Sequence, residues 1–340
     1  MKNFDPNSHF ILFANCLPVK GASRSLICDL QNEKYHYIPN DLYDLLQETR
    51  NTKFVELYNL FEDDDKKIIE EYIEFLLKNN LGFFDSDPVI FPEMSLEWDT
   101  PAEITNSIID IDATEMAQID YAELFRQLSD LNCSCVQIRS FSQLDSSTLE
   151  GLLNYTLDSR INEIRLFLEY NPEIDNTIQE RLLTKHKRIY EVIYFGSPEN
   201  KVVMNADVRF IHMDLSNLGV GDCGQICSGL FSVNIPHFTE SINFNSCLNK
   251  KISIDIHGEI KNCPSQVNSF GNINNMTLKE ALKNKDFLKL WKVKKDDIQI
   301  CKDCEYRYIC TDCRIFITDE NNPLSKPSKC TYDPYTTTWN

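Results

Sequence analysis

Short apolar runs and amphipathic stretches alternate over the N-terminal part of the chain. Runs rich in β-branched and aromatic residues between turn residues predict strands, and apolar residues spaced three and four apart predict helices. Three strands, three helices and a closing strand are typical of a winged-helix-like module, which we place at residues 1–92. In chain order, the predicted elements are the extended segments FILFANCLPV (10–19), SLICDL (25–30) and KYHYIP (34–39), helices beginning near Pro39, Thr52 and Asp64, and the strand GFFDSD (82–87).

The pattern of apolar and polar residues changes after the linker DSDPVIFPE (85–93), where short apolar runs alternate with helical stretches. Strands separated by helices favour parallel pairing, because a parallel connection needs a crossover of about a dozen residues or more. Residues 100–215 therefore predict an α/β fold, either a partial βα barrel or an open sheet, since a full barrel needs about twice as many strands. The predicted strands are SIIDID (107–112), VQIRSF (136–141), EIRLFLEY (163–170) and EVIYFGSP (191–198), and the helices between them are YAELFRQLSDL (121–131), STLEGLLNYTLDSR (147–160) and IQERLLTKHKRI (178–189).

The remainder of the chain, residues 216–340, is predicted to be a third, cysteine-rich domain. Nine of the 13 cysteines lie in it, and many of them form close pairs. An odd number of cysteines in a chain this large favours metal ligation in a reducing cytosol over disulfides, so we expect a cytoplasmic protein. Residues 279–295 predict one basic helix that begins at Thr277, whose side chain and that of Glu280 have the spacing of a capping box.

Charge and apolar patterning exclude two kinds of partner. The formal net charge is -18, whereas nucleic-acid binding is driven by counterion release to Lys and Arg. No apolar run approaches the roughly 20 residues that a membrane-spanning helix needs. We therefore expect neither nucleic acid nor membrane as a partner.

The cysteines of the third domain follow a regular spacing. Cys247 is followed after ten residues by Gly258 and four residues later by Cys263. Two close pairs come next in CKDCEYRYICTDC (301–313), spaced C-x2-C-x5-C-x2-C, and Cys330 follows after sixteen residues. Two sulfurs separated by two residues can reach one metal centre from a tight turn. The spacing alone leaves iron-sulfur and zinc open, and SIDIHGEIKNC predicts a β-hairpin that turns at Gly258.

This pattern resembles the SPASM domain, the auxiliary-cluster domain of radical SAM peptide maturases, with the pattern C-x9-15-G-x4-C, then C-x2-C-x5-C-x3-C and a final C. The chain departs from it by one residue, because two residues rather than three precede Cys313. The resemblance implies two [4Fe-4S] clusters, with zinc as the alternative. By position, it implies Cys247, Cys263 and Cys313 for one cluster, with Cys227 or, in its place, Cys223 as the fourth ligand, and Cys301, Cys304, Cys310 and Cys330 for the other.

The C-x3-C-x2-C triad with which radical SAM enzymes hold their catalytic cluster is absent from the sequence. Cys223 and Cys227 have the spacing of its first two members, but the third position is Leu230. Cys133 and Cys135 are separated by a single residue. We therefore expect no S-adenosylmethionine as cofactor, assign no catalytic residues, and interpret residues 100–215 as a degenerate radical SAM-like barrel.

Over its full length the chain resembles the SPASM-domain protein of grasp-with-spasm peptide modification systems, in which such a protein accompanies an ATP-grasp ligase and a precursor peptide. The resemblance rests on NSCLNKKISIDIHGEIKNCPS (245–265), ICKDCEYRYICTDCR (300–314) and the unit before the βα array. It implies an accessory, non-catalytic maturation protein that binds precursor peptide and assists the ligase. The alternative is a redox enzyme that acts on a peptide through its auxiliary clusters. The N-terminal module is expected either to capture a leader peptide at an open strand edge within residues 10–38 or to serve as a structural cap.

Overall fold

The computed structural model describes residues 7–339, so the first six residues of the predicted first domain and the last residue of the third lie outside the description. The chain divides into two compact units. Unit 1 consists of Met1–Trp98, Ile226–Ser246 and Val293–Asn340, and unit 2 consists of Asp99–Gln225 and Cys247–Lys292. The three predicted domain ranges remain an interpretation of the sequence.

The N-terminal elements occur in the predicted order. FILFANCLPV forms two strands rather than one, because the chain turns where the Cys16 N–H donates to the Phe13 carbonyl at 2.8 Å. In the third helix Ile69, Ile73 and Leu76 share one buried face. The elements are β1 (His9–Leu12), β2 (Cys16–Val19), β3 (Ser25–Asp29), β4 (Lys34–Ile38), α1 (Asn40–Thr49), α2 (Phe54–Tyr58), α3 (Asp63–Lys78) and β5 (Gly82–Asp85).

Two small antiparallel sheets result, β2-β3-β4 and β1-β5. In the first sheet β3 is the central strand, with Leu26 opposite both Val19 on β2 and Tyr37 on β4. SLICDL, which lies within the expected edge region, is therefore not an edge strand. The edges of this sheet are β2 and β4, so an added peptide strand would have to pair with one of them.

The alternating strands and helices of the βα array are confirmed. Its first four strands pair in parallel and in sequence order. The second helix ends earlier than predicted, and the third begins earlier, at Pro172, because the Asn171 side chain caps it by accepting from the Glu173 N–H. The elements are β6 (Asn106–Ile111), α4 (Tyr121–Asp130), β7 (Cys135–Ser140), α5 (Ser146–Asn154), β8 (Glu163–Glu169), α6 (Pro172–Thr177), α7 (Leu183–Lys185), β9 (Ile189–Phe195), β10 (Lys201–Asn205) and β11 (Val208–His212).

The cysteine-rich part contributes a hairpin to the same sheet. Its elements are α8 (Ile235–Asn243), β12 (Lys251–Ile254), β13 (Ile260–Lys261), α9 (Leu278–Ala281), α10 (Lys285–Lys289), β14 (Tyr332–Asp333) and β15 (Thr338–Trp339). Strand β12 pairs in parallel with β6 and antiparallel with β13. The result is an eight-stranded, mostly parallel sheet in the order β10-β11-β9-β8-β7-β6-β12-β13, so the mixed α/β class is confirmed, and this order is compatible with both a partial barrel and an open sheet.

The hairpin turn has the predicted glycine. Gly258 lies at φ +80°, a left-handed conformation that side-chain-bearing residues rarely adopt. The prediction of a single basic helix at residues 279–295 is wrong, since the chain forms the short helices α9 and α10 instead. Its predicted start is right, because the Thr277 hydroxyl accepts from the Glu280 N–H and the Glu280 carboxylate accepts from the Thr277 N–H. Asn284 then caps a new helix by accepting from the Asp286 N–H.

Among the helices of the described residues, none has the length and apolar character to cross a bilayer.

Candidate cluster-binding cysteines

The structure of unit 1 brings together Cys301, Cys304, Cys310 and Cys330, which we call the C-terminal thiol group. Cys301 and Cys310 are each 6% exposed. Tight turns fold the segment, since the Cys304 N–H donates to the Cys301 carbonyl and the Cys310 N–H to the Tyr306 carbonyl, both at 3.0 Å. Burial raises the pKa of the Cys301 thiol, Lys295 opposes this shift, and Asp312, Cys310 and Cys330 add to it, so that the pKa is about 11.

A buried lysine faces this group. The Lys295 ammonium donates to Cys310 Sγ at 3.4 Å and to the Thr311 carbonyl at 3.3 Å, and Lys295 is 3% exposed. Burial alone would lower the pKa of this ammonium, but Cys310, Asp312 and Cys301 raise it above its usual range. The positive charge is therefore stabilised by the acidic groups around it.

The neighbouring carboxylate has its own partners. Asp312 is fully buried and forms an ion pair with Arg314 at 3.0 Å, while the Asn245 side chain donates to its other oxygen at 2.7 Å. Lys295 therefore has two kinds of acidic neighbour, which are the Cys310 sulfur that its ammonium contacts and the Asp312 carboxylate that also pairs with Arg314.

In unit 2 the structure brings together Cys223, Cys247 and Cys263, which we call the sheet-linked thiol group. Cys247 precedes β12 and Cys263 follows β13, so the hairpin carries both. Cys223 follows a short 3-10 turn, and its Sγ lies 3.5 Å from the Ser265 hydroxyl. The hydrogen bond with Cys223, followed by burial, raises the pKa of the Cys263 thiol far above its usual range.

This group also faces a lysine. The Lys251 ammonium donates to Cys247 Sγ at 3.7 Å and interacts electrostatically with Cys263 and Cys223. The carboxylates nearby are engaged elsewhere, because Asp110 forms a bidentate pair with Arg139 at 2.6 and 2.8 Å and Asp255 pairs with Lys261 at 2.7 Å.

Two of the predicted cluster ligands, Cys227 and Cys313, belong to neither thiol group. Cys227 is exposed and belongs to unit 1, so the candidate that the structure brings to Cys263 is Cys223. Cys313 is 7% exposed in unit 1, and its sulfur accepts from the Phe316 N–H at 3.5 Å. The ligand assignment of both residues stays a prediction.

Cys133 and His237 lie outside both thiol groups. Cys133 belongs to the main hydrophobic core, and burial raises its pKa to about 12. His237 on α8 is half-buried beside the Cys310 backbone with its Nε2 enclosed, and desolvation lowers its pKa to about 4. The sequence reasoning missed Lys251 and Lys295, because nothing in the sequence distinguishes them from the adjacent Lys250 and Lys294.

The donor set fits the implied cofactor. Within residues 7–339, no three His, Cys, Asp or Glu side chains converge closely enough to hold one metal ion. An iron-sulfur cluster instead takes one thiolate for each of its iron atoms, so its ligands are spread around it. Buried thiols that face a lysine suit such a cluster, because the positive charge offsets its thiolate ligands.

Comparison with protein families agrees with this chemistry. The model of the SPASM family, an iron-sulfur cluster-binding domain, matches residues 246–305. The match contains Cys247, Cys263, Cys301 and Cys304, so this part of the chain is similar to an iron-sulfur cluster-binding domain.

Solved structures give a weaker likeness. The chain is similar to SuiB of Streptococcus suis, whose crystal structure contains bound S-adenosylmethionine, at 12% identity and a TM-score of 0.42, over 96% of this chain and 99% of that one. No curated protein sequence matches the chain.

Proposed function

We propose that this protein is an accessory maturation protein of a ribosomally synthesised peptide modification system. It carries two auxiliary [4Fe-4S] clusters, binds a precursor peptide and assists a partner ATP-grasp ligase. The observation that carries the proposal is the SPASM match together with two thiol groups, each facing a lysine. The absence of the C-x3-C-x2-C triad from the sequence supports an accessory role over S-adenosylmethionine cleavage.

The ligand sets follow the two thiol groups. The C-terminal thiol group supplies four thiolates, which is what one [4Fe-4S] cluster requires. In the sheet-linked thiol group, the hydrogen bond between Cys223 and Cys263 favours Cys223 over Cys227 as a ligand beside Cys247. Cys313 stays a predicted ligand on the basis of its spacing.

Iron analysis tests the metal content. Anaerobically purified protein should contain about eight iron and eight sulfide per chain, the number that two four-iron clusters require. Cys304→Ser should lose about half of the iron, whereas the control Cys135→Ser, outside both thiol groups, should retain it. Colourless protein with stoichiometric zinc would overturn the cluster assignment.

The accessory role is tested separately. Reduced protein supplied with S-adenosylmethionine should yield no 5'-deoxyadenosine above a control without protein. Co-expression with a candidate precursor and ATP-grasp ligase should give a modified peptide by mass spectrometry, and omitting this chain should abolish it. Cleavage of S-adenosylmethionine at enzymatic rates would show that the protein is itself a radical enzyme.

Strand β4 is the proposed site of leader-peptide binding in a winged-helix-like module. No described strand pairs with its outer side, and its residues Lys34 and Tyr37 are exposed. The Tyr37 hydroxyl is hydrogen-bonded to that of Tyr306 at 2.7 Å, so β4 lies beside the segment that carries Cys304 and Cys310. A peptide added along β4 would gain backbone hydrogen bonds there.

Proline substitution on β4 tests this site. Successive residues of a strand direct their N–H groups to opposite sides, so one of Tyr35 and His36 donates towards β3 and the other towards the open edge. The edge-facing variant should keep its circular dichroism and lose leader binding, because proline removes a donor and blocks the ladder. If both folded variants bind leader peptide as the unmodified chain does, β4 is not the site.

A further inference from the structure

Each thiol group contains one lysine whose ammonium is directed at sulfur. Lys295 Nζ lies 3.4 Å from Cys310 Sγ and interacts electrostatically with Cys301 and Cys304. Lys251 Nζ lies 3.7 Å from Cys247 Sγ, and Cys263 and Cys223 are its further acidic neighbours. The same arrangement thus occurs in unit 1 and in unit 2, on segments that share no local fold.

The carboxylates near these lysines already have other partners. In unit 1 the buried carboxylate of Asp312 pairs with Arg314, although it still stabilises the charge of Lys295. In unit 2 the carboxylates of Asp110 and Asp255 pair with Arg139 and Lys261. An ammonium in a low-dielectric site is costly without an anion beside it, and a cysteine sulfur is the acidic group that each of these two ammonium groups contacts.

We propose that Lys251 and Lys295 each set the reduction potential of the iron-sulfur cluster held by its own thiol group. The inference rests on the proposed function, because it requires both clusters. A cluster gains negative charge when it accepts an electron, so a fixed positive charge beside its sulfur ligands stabilises the reduced form more than the oxidised form. Net charge and hydrogen bonds to sulfur are among the factors that set cluster potentials. The two lysines therefore keep both clusters reducible inside a strongly acidic protein.

The adjacent residues supply matched controls. The Lys250 ammonium donates to the carbonyls of Thr100 and Ala102, at 3.1 and 2.6 Å. The Lys294 ammonium donates to the Ile242 carbonyl at 2.9 Å and lies 3.7 Å from Asp296. Each control removes the same charge one residue away, from a side chain that donates to backbone carbonyls.

The experiment is a dithionite titration of the full chain, followed by electron paramagnetic resonance. Lys295→Met should make one of the two cluster potentials more negative, and Lys251→Met should shift the other. We expect at least a tenfold change in the ratio of reduced to oxidised cluster, equivalent to about 59 mV for a one-electron couple. Lys295→Arg should keep the potential close to that of the unmodified protein, because it retains the charge. Lys250→Met and Lys294→Met should leave both potentials unchanged.

Iron and sulfide content, measured on every variant, distinguishes a failure of the proposed function from a failure of the proposed role of the lysines. Unmodified protein without clusters would overturn the proposed function. Loaded Met variants with unchanged potentials would overturn only this inference. Lys295→Gln and Lys251→Gln, which retain a donor without charge, guard against a Met variant that fails to load. Loss of iron from both the Met and the Gln variant of one lysine would show that this lysine holds the cluster in place, and would overturn its role in setting the potential.

Discussion

The two thiol groups present similar chemistry on different supports. In the sheet-linked thiol group, Cys247 and Cys263 flank a hairpin whose strand β12 is hydrogen-bonded to β6. In the C-terminal thiol group, the cysteines lie on turns that are held by side-chain packing of Tyr306, Ile309 and Tyr332. A regular ladder fixes positions through repeated backbone hydrogen bonds, whereas irregular segments depend on individual buried side chains.

Each group nevertheless lies near a buried ion pair and a lysine directed at sulfur. The two sites therefore share a local electrostatic environment and not a secondary structure. Substitutions at both sites should show where the two supports differ and where they are equivalent.

The largest effect is expected from breaking the buried ion pairs. Asp312→Asn and Asp110→Asn each leave an arginine buried without its counter-ion, which typically costs about 3–5 kcal/mol. Urea unfolding should show this loss for both variants. Exposed Asp130→Asn, whose partner Arg126 is also exposed, should cost about 0.5 kcal/mol or less. If only one of the buried pairs proves costly, the two supports are not electrostatically equivalent.

A pH effect on stability is expected from His237, which lies beside the Cys310 backbone of the C-terminal thiol group. Its imidazole has a pKa of about 4 when folded, against 6.5 ordinarily, because it is buried. Between pH 6.5 and pH 4 the His237 imidazole binds a proton in the unfolded chain but not in the folded chain. Its contribution to the free energy of unfolding is therefore fully present above pH 6.5 and is lost as the pH falls towards 4. The total is on the order of 3 kcal/mol.

The measurement is the urea midpoint at several pH values between 7.5 and 4.5. His237→Gln should flatten this dependence, and His257→Gln, at an exposed turn, serves as the control. An unchanged slope in His237→Gln would show that other groups cause the acid sensitivity.

A glycine supports each group, and replacing it should cost about 1–3 kcal/mol. At Gly258, φ +80° disfavours alanine, and the added Cβ would lie 3.1 Å from Ile273 Cγ2. At Gly21, the Cβ would lie 2.8 Å from Glu305 Cβ, next to Cys304, and would also overlap the Arg24 carbonyl oxygen. Thermal unfolding should detect both losses. Gly151→Ala, where no atom lies within 4 Å of the added Cβ, should cost nothing.

The smallest effect concerns how Cys223 is held. Ser265 donates to the Val220 carbonyl at 2.7 Å and lies 3.5 Å from Cys223 Sγ, so Ser265→Ala should cost about 1 kcal/mol. Alkylation of Cys223 in metal-free protein, followed by mass spectrometry, should become faster because its segment loses an anchor. Ser269→Ala, at an exposed position, is the control. An unchanged alkylation rate would mean that Ser265 does not position Cys223.

Features that depend on near neighbours could be predicted from the sequence. Helix and strand periodicity located the elements of the N-terminal module and of the βα array, because burial on one face imposes a local pattern. The turn at Gly258 and the capping box of Thr277 were predictable for the same reason. The cap at Asn284, which divides the predicted helix, is also a local feature. The cysteine spacing indicated cluster chemistry, since paired thiolates on tight turns are a local arrangement.

The contacts between segments far apart in the chain could not be predicted from the sequence. Strand β12 could have paired within a separate domain, yet it extends the βα sheet beside β6. Strand β3 could have been an edge, yet it lies between β2 and β4. The sequence does not distinguish Lys251 from Lys250, but their ammonium groups end at a sulfur and at backbone carbonyls. Pairing between residues far apart in sequence depends on complementary partners across the whole fold, and no local pattern records those partners.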